Sequence, residues 1–339
     1  MDKYLAKFET VVNLEHQRQA IATCRRVFEF GEVESLPFVY ADVSRAADTD
    51  WPSYPYNDTF SDPAKMLLDQ LRAPFLHHQL GDCHALNIRC NYGTVILPSL
   101  FGLHYQLTEN SLPWIHHAPD RKQVAALIAR GVPDPKNGLG ARCFETADYY
   151  REVLSGYPKL GKAVQIYHPD LQGPFDLAHL IWGSDIFFAL YDCPAMVHEL
   201  LALVTQTYAS WMREWKLFVG EGSELTSHWG FYIKGGIMLR DDTAVTLSSA
   251  HYEQFVKPYD QALLDAFGGC IHFCGRGDAF VRSMSRSRKL HGIHCSQPEL
   301  NDMGTLIDIA RLKQITLLGL PDTYVPAGAR TGYVLLRGS

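Results

Sequence analysis

Hydrophobic positions recur along the chain with two different periods, and the pattern predicts helices and strands that alternate. Residues 1–30 carry apolar positions at helical spacing before Gly31, which predicts an amphipathic helical region at the N-terminus. Short apolar runs follow at 36–42 (LPFVYAD) and 85–92 (ALNIRCNY), and both predict strands. The apolar run at 93–102 (GTVILPSLFG) is interpreted as a further extended or hairpin segment.

The alternation becomes regular after residue 163. Helical patterns separate five further apolar runs, which we interpret as strands: AVQIYH, GGIMLR, CIHF, LHGIHC and QITLLGL. Near-continuous apolar strands between helices are typical of a parallel sheet that is covered on both faces. About eight strand and helix units can be counted, so we predict an α/β fold of the (β/α)₈ TIM barrel type with an N-terminal helical extension.

The stretch at 104–160 is richer in Pro, Gly and His than the rest, and we predict a long insertion there, over one face of the barrel. No linker or internal repeat divides the sequence, so residues 1–339 are expected to form a single barrel domain.

Composition and charge narrow the possible classes of partner. The net charge of −6 provides no basic field for a nucleic acid, and no run of 18 apolar residues predicts a membrane span. The polar N-terminus does not resemble a signal peptide, so we expect a cytoplasmic protein with a small-molecule substrate. The eight cysteines are dispersed through a large chain, which favours free thiols or metal ligands over disulfides.

Polar residues cluster where the predicted strands end, which in a barrel of this type is the face that carries the active site. We interpret Asp170 and either Asp241 or Asp242 as candidate catalytic residues. Arg89 and Arg240 can clamp a substrate carboxylate, or else form an ion pair with an aspartate at a strand end. The candidates for substrate binding are Arg89, Asn91, Tyr92, His168, Arg240, Gln297 and Glu299.

The segment Ile-His-Phe-Cys-Gly (271–275) predicts a metal site. In a strand, His272 and Cys274 are two residues apart and lie on the same face. Cys295 ends the next predicted strand, and neighbouring strands are about 4.8 Å apart, so His272, Cys274 and Cys295 can form a zinc site with one open position. Glu299 or Asp242 is the alternative third ligand. Since buried cysteines are common, the same pattern also fits ordinary core residues.

Four blocks of the chain resemble the uroporphyrinogen decarboxylase superfamily: DLQGPFD (170–176), RDDTAVTLS (240–248), IHFCG (271–275) and QPELND (297–302). The resemblance extends from about Pro37, is strongest from 162 to 302, and implies a (β/α)₈ barrel with a central cleft. Uroporphyrinogen decarboxylases themselves carry an arginine-rich segment after the first strand and an aspartate near the second, whereas this chain has PFVYADVSRA and NIRCNYG there.

The H-x-C pair resembles that of the zinc-dependent methyltransferases of the superfamily, which move methyl groups between corrinoid proteins and thiols. In that branch a third cysteine ligand lies near the last strand, but Gln314 to Ala329 contains none, and Cys295 is the last cysteine of the chain.

The resemblance implies a zinc-dependent methyltransferase whose methyl donor is a corrinoid held by a separate protein. Two alternatives remain open. One is a lyase acting on a carboxylated or tetrapyrrole-like substrate, and the other is a non-catalytic barrel that binds a corrinoid or tetrapyrrole.

Overall fold

The computed structural model describes residues 1–222 and 224–338, and within them strands and helices alternate as the sequence predicts. The strands are β1 (Phe38–Tyr40), β2 (Asn87–Ile88), β3 (Tyr105–Gln106), β4 (Trp114–Ile115), β5 (Gln165–Ile166), β6 (Leu225–His228), β7 (Phe231–Lys234), β8 (Ile237–Arg240), β9 (Gly269–Phe273), β10 (Leu290–Cys295), β11 (Thr316–Pro321) and β12 (Tyr333–Arg337). Eight of these strands belong to parallel ladders. Six form one sheet in the order β1-β12-β11-β10-β9-β8, and β2 pairs with β5.

The helices cover the parallel strands. They are α1 (Asp2–Val11), α2 (Leu14–Phe28), α3 (Tyr56–Ser61), α4 (Pro63–Leu80), α5 (Ile96–Leu100), α6 (Arg121–Arg130), α7 (Leu139–Ser155), α8 (Leu160–Ala163), α9 (Pro174–Trp182), α10 (Asp185–Asp192), α11 (Pro194–Val219), α12 (Ser249–His251), α13 (Lys257–Phe267), α14 (Val281–Met284) and α15 (Met303–Lys313). A π-helical segment at Tyr252–Val256 joins α12 to α13. Across the described ranges, no helix combines the length and the apolar character that a membrane crossing requires.

Neighbouring strands of the sheet follow chain order, as they do in a (β/α)₈ barrel, but the ladder has two interruptions. One lies between β1 and β2, where the amide of Cys83 donates to the carbonyl of Phe38 at 2.8 Å. The other lies between β5 and β8, where the amide of Met238 donates to His168 Nε2 at 3.2 Å. The α/β class and the parallel sheet are therefore confirmed, whereas strand pairing within residues 1–222 and 224–338 does not close a complete barrel.

Alternating strand residues face two different layers. Leu239, Ile271 and Ile293 belong to the main core beneath the helices. Met238 and Cys270 alternate with them and pack on the opposite face, against Phe231 of the β6–β7 hairpin. This hairpin therefore covers the face of the sheet opposite the main core. Its other side contacts helix α2, where the hydroxyl of Tyr232 donates to Gln17 Oε1 at 2.7 Å.

Four parts of the fold differ from the sequence-based expectations. Residues 93–102 form a 3₁₀ turn at Gly93–Val95 followed by helix α5, so the predicted extended segment is wrong. Every residue of α5 is buried, and a short run that is apolar on all sides has no period that separates a helix from a strand. The hairpin β6–β7 and strand β12 were not predicted. In the stretch at 104–160, helix α7 packs against α4, α5 and α11 and so belongs to the helical layer, while the β3–β4 hairpin is an added element.

Candidate functional site

One row of side chains crosses the carboxyl ends of three neighbouring strands. The strand register aligns Arg240 of β8 with His272 of β9, and His272 with His294 of β10. Arg240 and His272 each lie two residues after Met238 and Cys270, so their side chains are on the same face of the sheet, towards the hairpin. His294 lies on that face as well, because it is paired with His272. The row thus places a guanidinium and two imidazoles side by side at the end of the sheet where a barrel carries its chemistry.

Asp242, His272 and Cys274 form the group that is best suited to hold a metal ion. One ligand atom from each residue lies within 4.8 Å of the other two. His272 Nε2 is 3.3 Å from Cys274 Sγ and 3.4 Å from Asp242 Oδ1. Ligand atoms on a tetrahedral zinc ion are about 3.3–3.5 Å apart, given metal–ligand bonds of about 2.0–2.3 Å. Two of the three separations between donor atoms therefore match those of a zinc site, and the third is no more than 4.8 Å. Three protein ligands would leave a fourth position for a substrate.

The local backbone holds this group in place. The amide of Cys274 donates to Asp242 Oδ1 at 2.9 Å, and the hydroxyl of Ser296 donates to Cys274 Sγ at 3.2 Å. Partial burial would raise the pKa of Asp242, but the hydrogen bonds from His272 and Cys274 lower it overall. Burial raises the pKa of the Cys274 thiol, and the bond from Ser296 offsets this in part. Without a metal, the group therefore combines an ionised carboxylate with a protonated thiol.

Cys295, the third ligand predicted from the sequence, is not brought into this group. It pairs with Phe273 in the register and belongs, like Phe273, to the core beneath the helices. Its Sγ accepts a hydrogen bond from Asn301 Nδ2 at 3.4 Å. The residue beside His272 is instead His294, whose Nδ1 lies 2.8 Å from His272 Nδ1. Asp242 takes the place in the group that the sequence analysis gave to Cys295.

A second polar cluster lies next to the row. Asp170 Oδ1 accepts hydrogen bonds from the guanidinium groups of Arg89 and Arg240, and from Trp229 Nε1 at 3.3 Å. Burial would raise the pKa of Asp170, but the charges of Arg240 and Arg89 lower it overall. One carboxylate thus pairs with two arginines, of which Arg240 is buried and Arg89 is partly buried, and this leaves an excess of one positive charge. The Nε atoms of Arg89 and Arg240 are buried and have no hydrogen-bond partner within the described residues.

Trp229 touches both clusters. It forms the tip of the β6–β7 hairpin together with Gly230, and both residues have positive φ angles, of 47° and 79°. The indole lies 4.3 Å from the Arg240 guanidinium and 4.8 Å from the His272 ring in an edge-on arrangement. The left-handed conformation is unfavourable for a bulky residue, and it persists only where the surrounding structure holds it.

Of the two adjacent aspartates that the sequence left undecided, only Asp242 faces the site. Asp241 is fully buried behind β8, close to Asp260 of α13 and Asp176 of α9. Burial and the neighbouring carboxyl of Asp260 raise the pKa of Asp241 strongly. A neutral carboxyl behind the strand has no direct access to a substrate, so its location favours a structural role.

The other predicted residues either support the backbone near the site or lie in the hydrophobic core. His168 Nε2 accepts from the amide of Met238, and burial lowers the pKa of His168 to about 3, which makes it a neutral link between β5 and β8. The phenol of Tyr92 bonds to Thr146 Oγ1 at 2.6 Å in the core. Gln297 Oε1 accepts from the amide of Gly275 at 2.8 Å and so braces the loop that follows Cys274.

Asn91 and Glu299 lie outside the two clusters. The amide of Asn91 donates to Met66 Sδ at 3.2 Å, and its carbonyl accepts from the hydroxyl of Tyr56 at 3.1 Å. Glu299 is exposed in a 3₁₀ turn at Pro298–Leu300.

The sequence analysis missed Trp229 and His228 beside the site, and it did not include His294 among its candidates. Trp229 precedes a glycine between two short segments of strand-forming residues, which is the pattern of a two-residue hairpin turn and was available in the sequence. His228 is fully buried, and its Nε2 lies 3.2 Å from a nitrogen of Arg240. The role of His294 depends on strand register, for which a single sequence offers no signal.

Comparison with known proteins supports the fold. No protein-family model matches the chain, and no curated protein matches it in sequence. Among solved structures, it is similar to a methyltransferase from Methanosarcina mazei, with a TM-score of 0.66 and 16% sequence identity. The alignment covers 94% of this chain and 93% of that one. The two proteins therefore share a fold over nearly their whole lengths.

Proposed function

We propose that this protein is a zinc-dependent methyltransferase that moves a methyl group between a corrinoid carrier and a thiol acceptor. The observation that carries the proposal is the convergence of Asp242, His272 and Cys274 within 4.8 Å at adjacent strand ends. The shared fold with a methyltransferase from Methanosarcina mazei supports it. Zinc held there would supply the charge that keeps a substrate thiol in its thiolate form, which is the nucleophile for methyl transfer.

The residues of the chain would bind and orient the thiol substrate. Arg89 and Arg240 share one carboxylate, so their excess positive charge favours an anionic group on the substrate, close to the thiol. Asp170 fixes both guanidinium groups, and the indole of Trp229 lies between them and His272. In the transfer itself, a bond forms between the substrate sulfur and the methyl carbon while the carbon–cobalt bond of the donor breaks. The electron pair stays on cobalt, and the thiol proton passes to solvent.

Metal analysis of matched cysteine variants tests the zinc site. We expect about one zinc per chain in the wild-type protein and little in Cys274→Ser, because a site with three protein ligands loses most of its affinity with any one of them. Cys295→Ser is the control, since Cys295 ends the adjacent strand but faces the core. Equal zinc in the Cys274→Ser and wild-type proteins would contradict the proposal.

Methyl transfer is tested with methylcobalamin and small thiols that differ only in whether they carry an anionic group. We expect faster methylation of the anionic thiols, with a preference that Arg89→Gln weakens. Activity that survives complete zinc removal would favour the second candidate function, a lyase acting on a carboxylated or tetrapyrrole-like substrate. The observation that favours this candidate is the same arginine pair, because it suits a carboxylate as well.

A further inference from the structure

The two imidazoles at the ends of β9 and β10 meet through like atoms. His272 Nδ1 and His294 Nδ1 are 2.8 Å apart, and the rings lie nearly parallel, with centroids 4.9 Å apart and an interplanar angle of 29°. A hydrogen bond between two ring nitrogens of neutral imidazoles requires a proton on one and a lone pair on the other. The tautomer of either ring therefore determines the tautomer of its neighbour.

The opposite nitrogen of His272 determines which arrangement the metal-free protein adopts. His272 Nε2 lies 3.4 Å from Asp242 Oδ1 and 3.3 Å from Cys274 Sγ. An ionised carboxylate can only accept a hydrogen bond, and a thiol sulfur can accept one as well. This favours a proton on Nε2, which leaves Nδ1 with its lone pair. His294 must then carry its proton on Nδ1 and donate it to His272.

A zinc ion at the group would require the reverse arrangement. A zinc ligand coordinates through a lone pair, so Nε2 of His272 would have to lose its proton. Its Nδ1 would then carry a proton and donate it to Nδ1 of His294, whose own proton would lie on Nε2. The proton that leaves His272 Nε2 is balanced by the one that His294 Nε2 gains, and the Nδ1 proton moves from one ring to the other.

We propose that His294 is a positioning residue that exchanges tautomers with His272, and so presents the Nε2 lone pair of His272 to zinc. The proposal rests on the zinc site proposed above. Metal-binding histidines commonly donate their second ring proton to an acceptor that fixes the ring, and here a second imidazole takes that place. An imidazole offers both a donor and an acceptor, so the pair stays satisfied with and without metal.

The packing around His294 holds this arrangement. The ring lies 5.9 Å from Trp229 and 5.7 Å from Phe231, both from the β6–β7 hairpin. On the side of β11 it is bordered by Gly319, which has a φ of 65° and where a Cβ atom would come within 2.8 Å of His294 Nε2. A side chain at that position would thus displace the ring. His294 as a residue is partly exposed, and solvent is the source of the proton that its Nε2 would gain.

Zinc affinity in three variants tests the proposal. His294→Phe keeps a flat ring but has no acceptor, and we expect it to bind zinc about 10- to 100-fold more weakly than the wild type. His294→Gln restores an acceptor for the Nδ1 proton of His272 and should recover most of that loss. His291→Phe is the matched control, because His291 lies on the same strand but lines a different cavity, together with Lys234 and Lys289. Affinity is measured by competition with a chelator.

Nitrogen-15 spectra of histidine-labelled protein provide the second readout. We expect the His272 ring to carry its proton on Nε2 without zinc and on Nδ1 with zinc, with opposite changes in His294. Wild-type affinity in His294→Phe, or no change of tautomer on zinc loading, would overturn the role of His294 alone. A wild-type protein that binds no zinc would overturn the zinc site and this role together. The nitrogen-15 measurement uses the wild-type chain, so it tests the proposal even if a variant fails to fold.

Discussion

Replacing Asp170 by Asn should destabilise the protein strongly. The change removes the one negative charge shared by Arg89 and Arg240, while the side chain keeps its size. Arg240 has a relative side-chain exposure of 3%, so water cannot replace the lost partner. Leaving a buried charge without its partner costs about 3–5 kcal/mol, and two guanidinium groups lose theirs here. We therefore expect the free energy of unfolding to fall by about 3–5 kcal/mol.

Urea denaturation followed by circular dichroism measures this loss, and the melting temperature should fall by about 4–7 °C for a chain of this length. Asp308→Asn is the control, because Asp308 pairs with Arg311 at 3.4 Å but both side chains are at least 75% exposed. Exposed ion pairs contribute about 0–1 kcal/mol. If the two substitutions shift the urea midpoint equally, the arginines do not depend on Asp170 and the reasoning fails.

The pH dependence of this effect has a defined sign. The pKa of Asp170 is lower in the folded protein than in the unfolded chain, where it is about 3.9. Its contribution to stability is therefore fully present above about pH 4 and is lost as the pH falls through the folded-state pKa. The difference between the wild type and Asp170→Asn should be constant from pH 6 to pH 8 and should shrink below pH 4.

Three further predictions concern the hairpin tip and the zinc site. Gly230→Ala should destabilise the protein by about 2–4 kcal/mol, because its Cβ would meet His84 Nε2 at 2.2 Å. Gly102→Ala, with a similar φ of 80° but open space around it, should cost only about 1 kcal/mol in the same urea assay. Trp229→Asn should be more stable than Trp229→Ala by about 1 kcal/mol, since asparagine tolerates a φ of 47°, and equal melting temperatures would argue against backbone strain at the tip. Zinc content after dialysis should fall between pH 7 and pH 5, because the ligands bind in their deprotonated forms; unchanged content would point to other ligands.

The sequence predicted the parallel strands of the second half well. Buried strands such as β8, β9 and β10 are short apolar runs between segments with helical periodicity. Each of these signals is contained in a few consecutive residues and does not depend on distant parts of the chain. It also predicted that His272 and Cys274 share one face, because this depends only on alternation within a strand. The partner of His272 on β10 depends on the register between strands, and a shift of one residue exchanges His294 for Cys295. The sequence therefore could not exclude Cys295 as the third member of the group.

The β6–β7 hairpin has a consequence for how the site can be altered. Loops usually lie on the surface, where changes seldom reach the interior, but the residues of this turn contact Arg240 and His272 at the strand ends. Exchanging the four residues from His228 to Phe231 would reshape the walls beside His272 and Arg240 while leaving the sequences of the parallel strands unchanged. A library confined to this one short segment therefore offers a direct way to change substrate preference. Each member has to be screened for folding as well as for activity, since Phe231 packs on the sheet and a side chain at position 230 would meet His84.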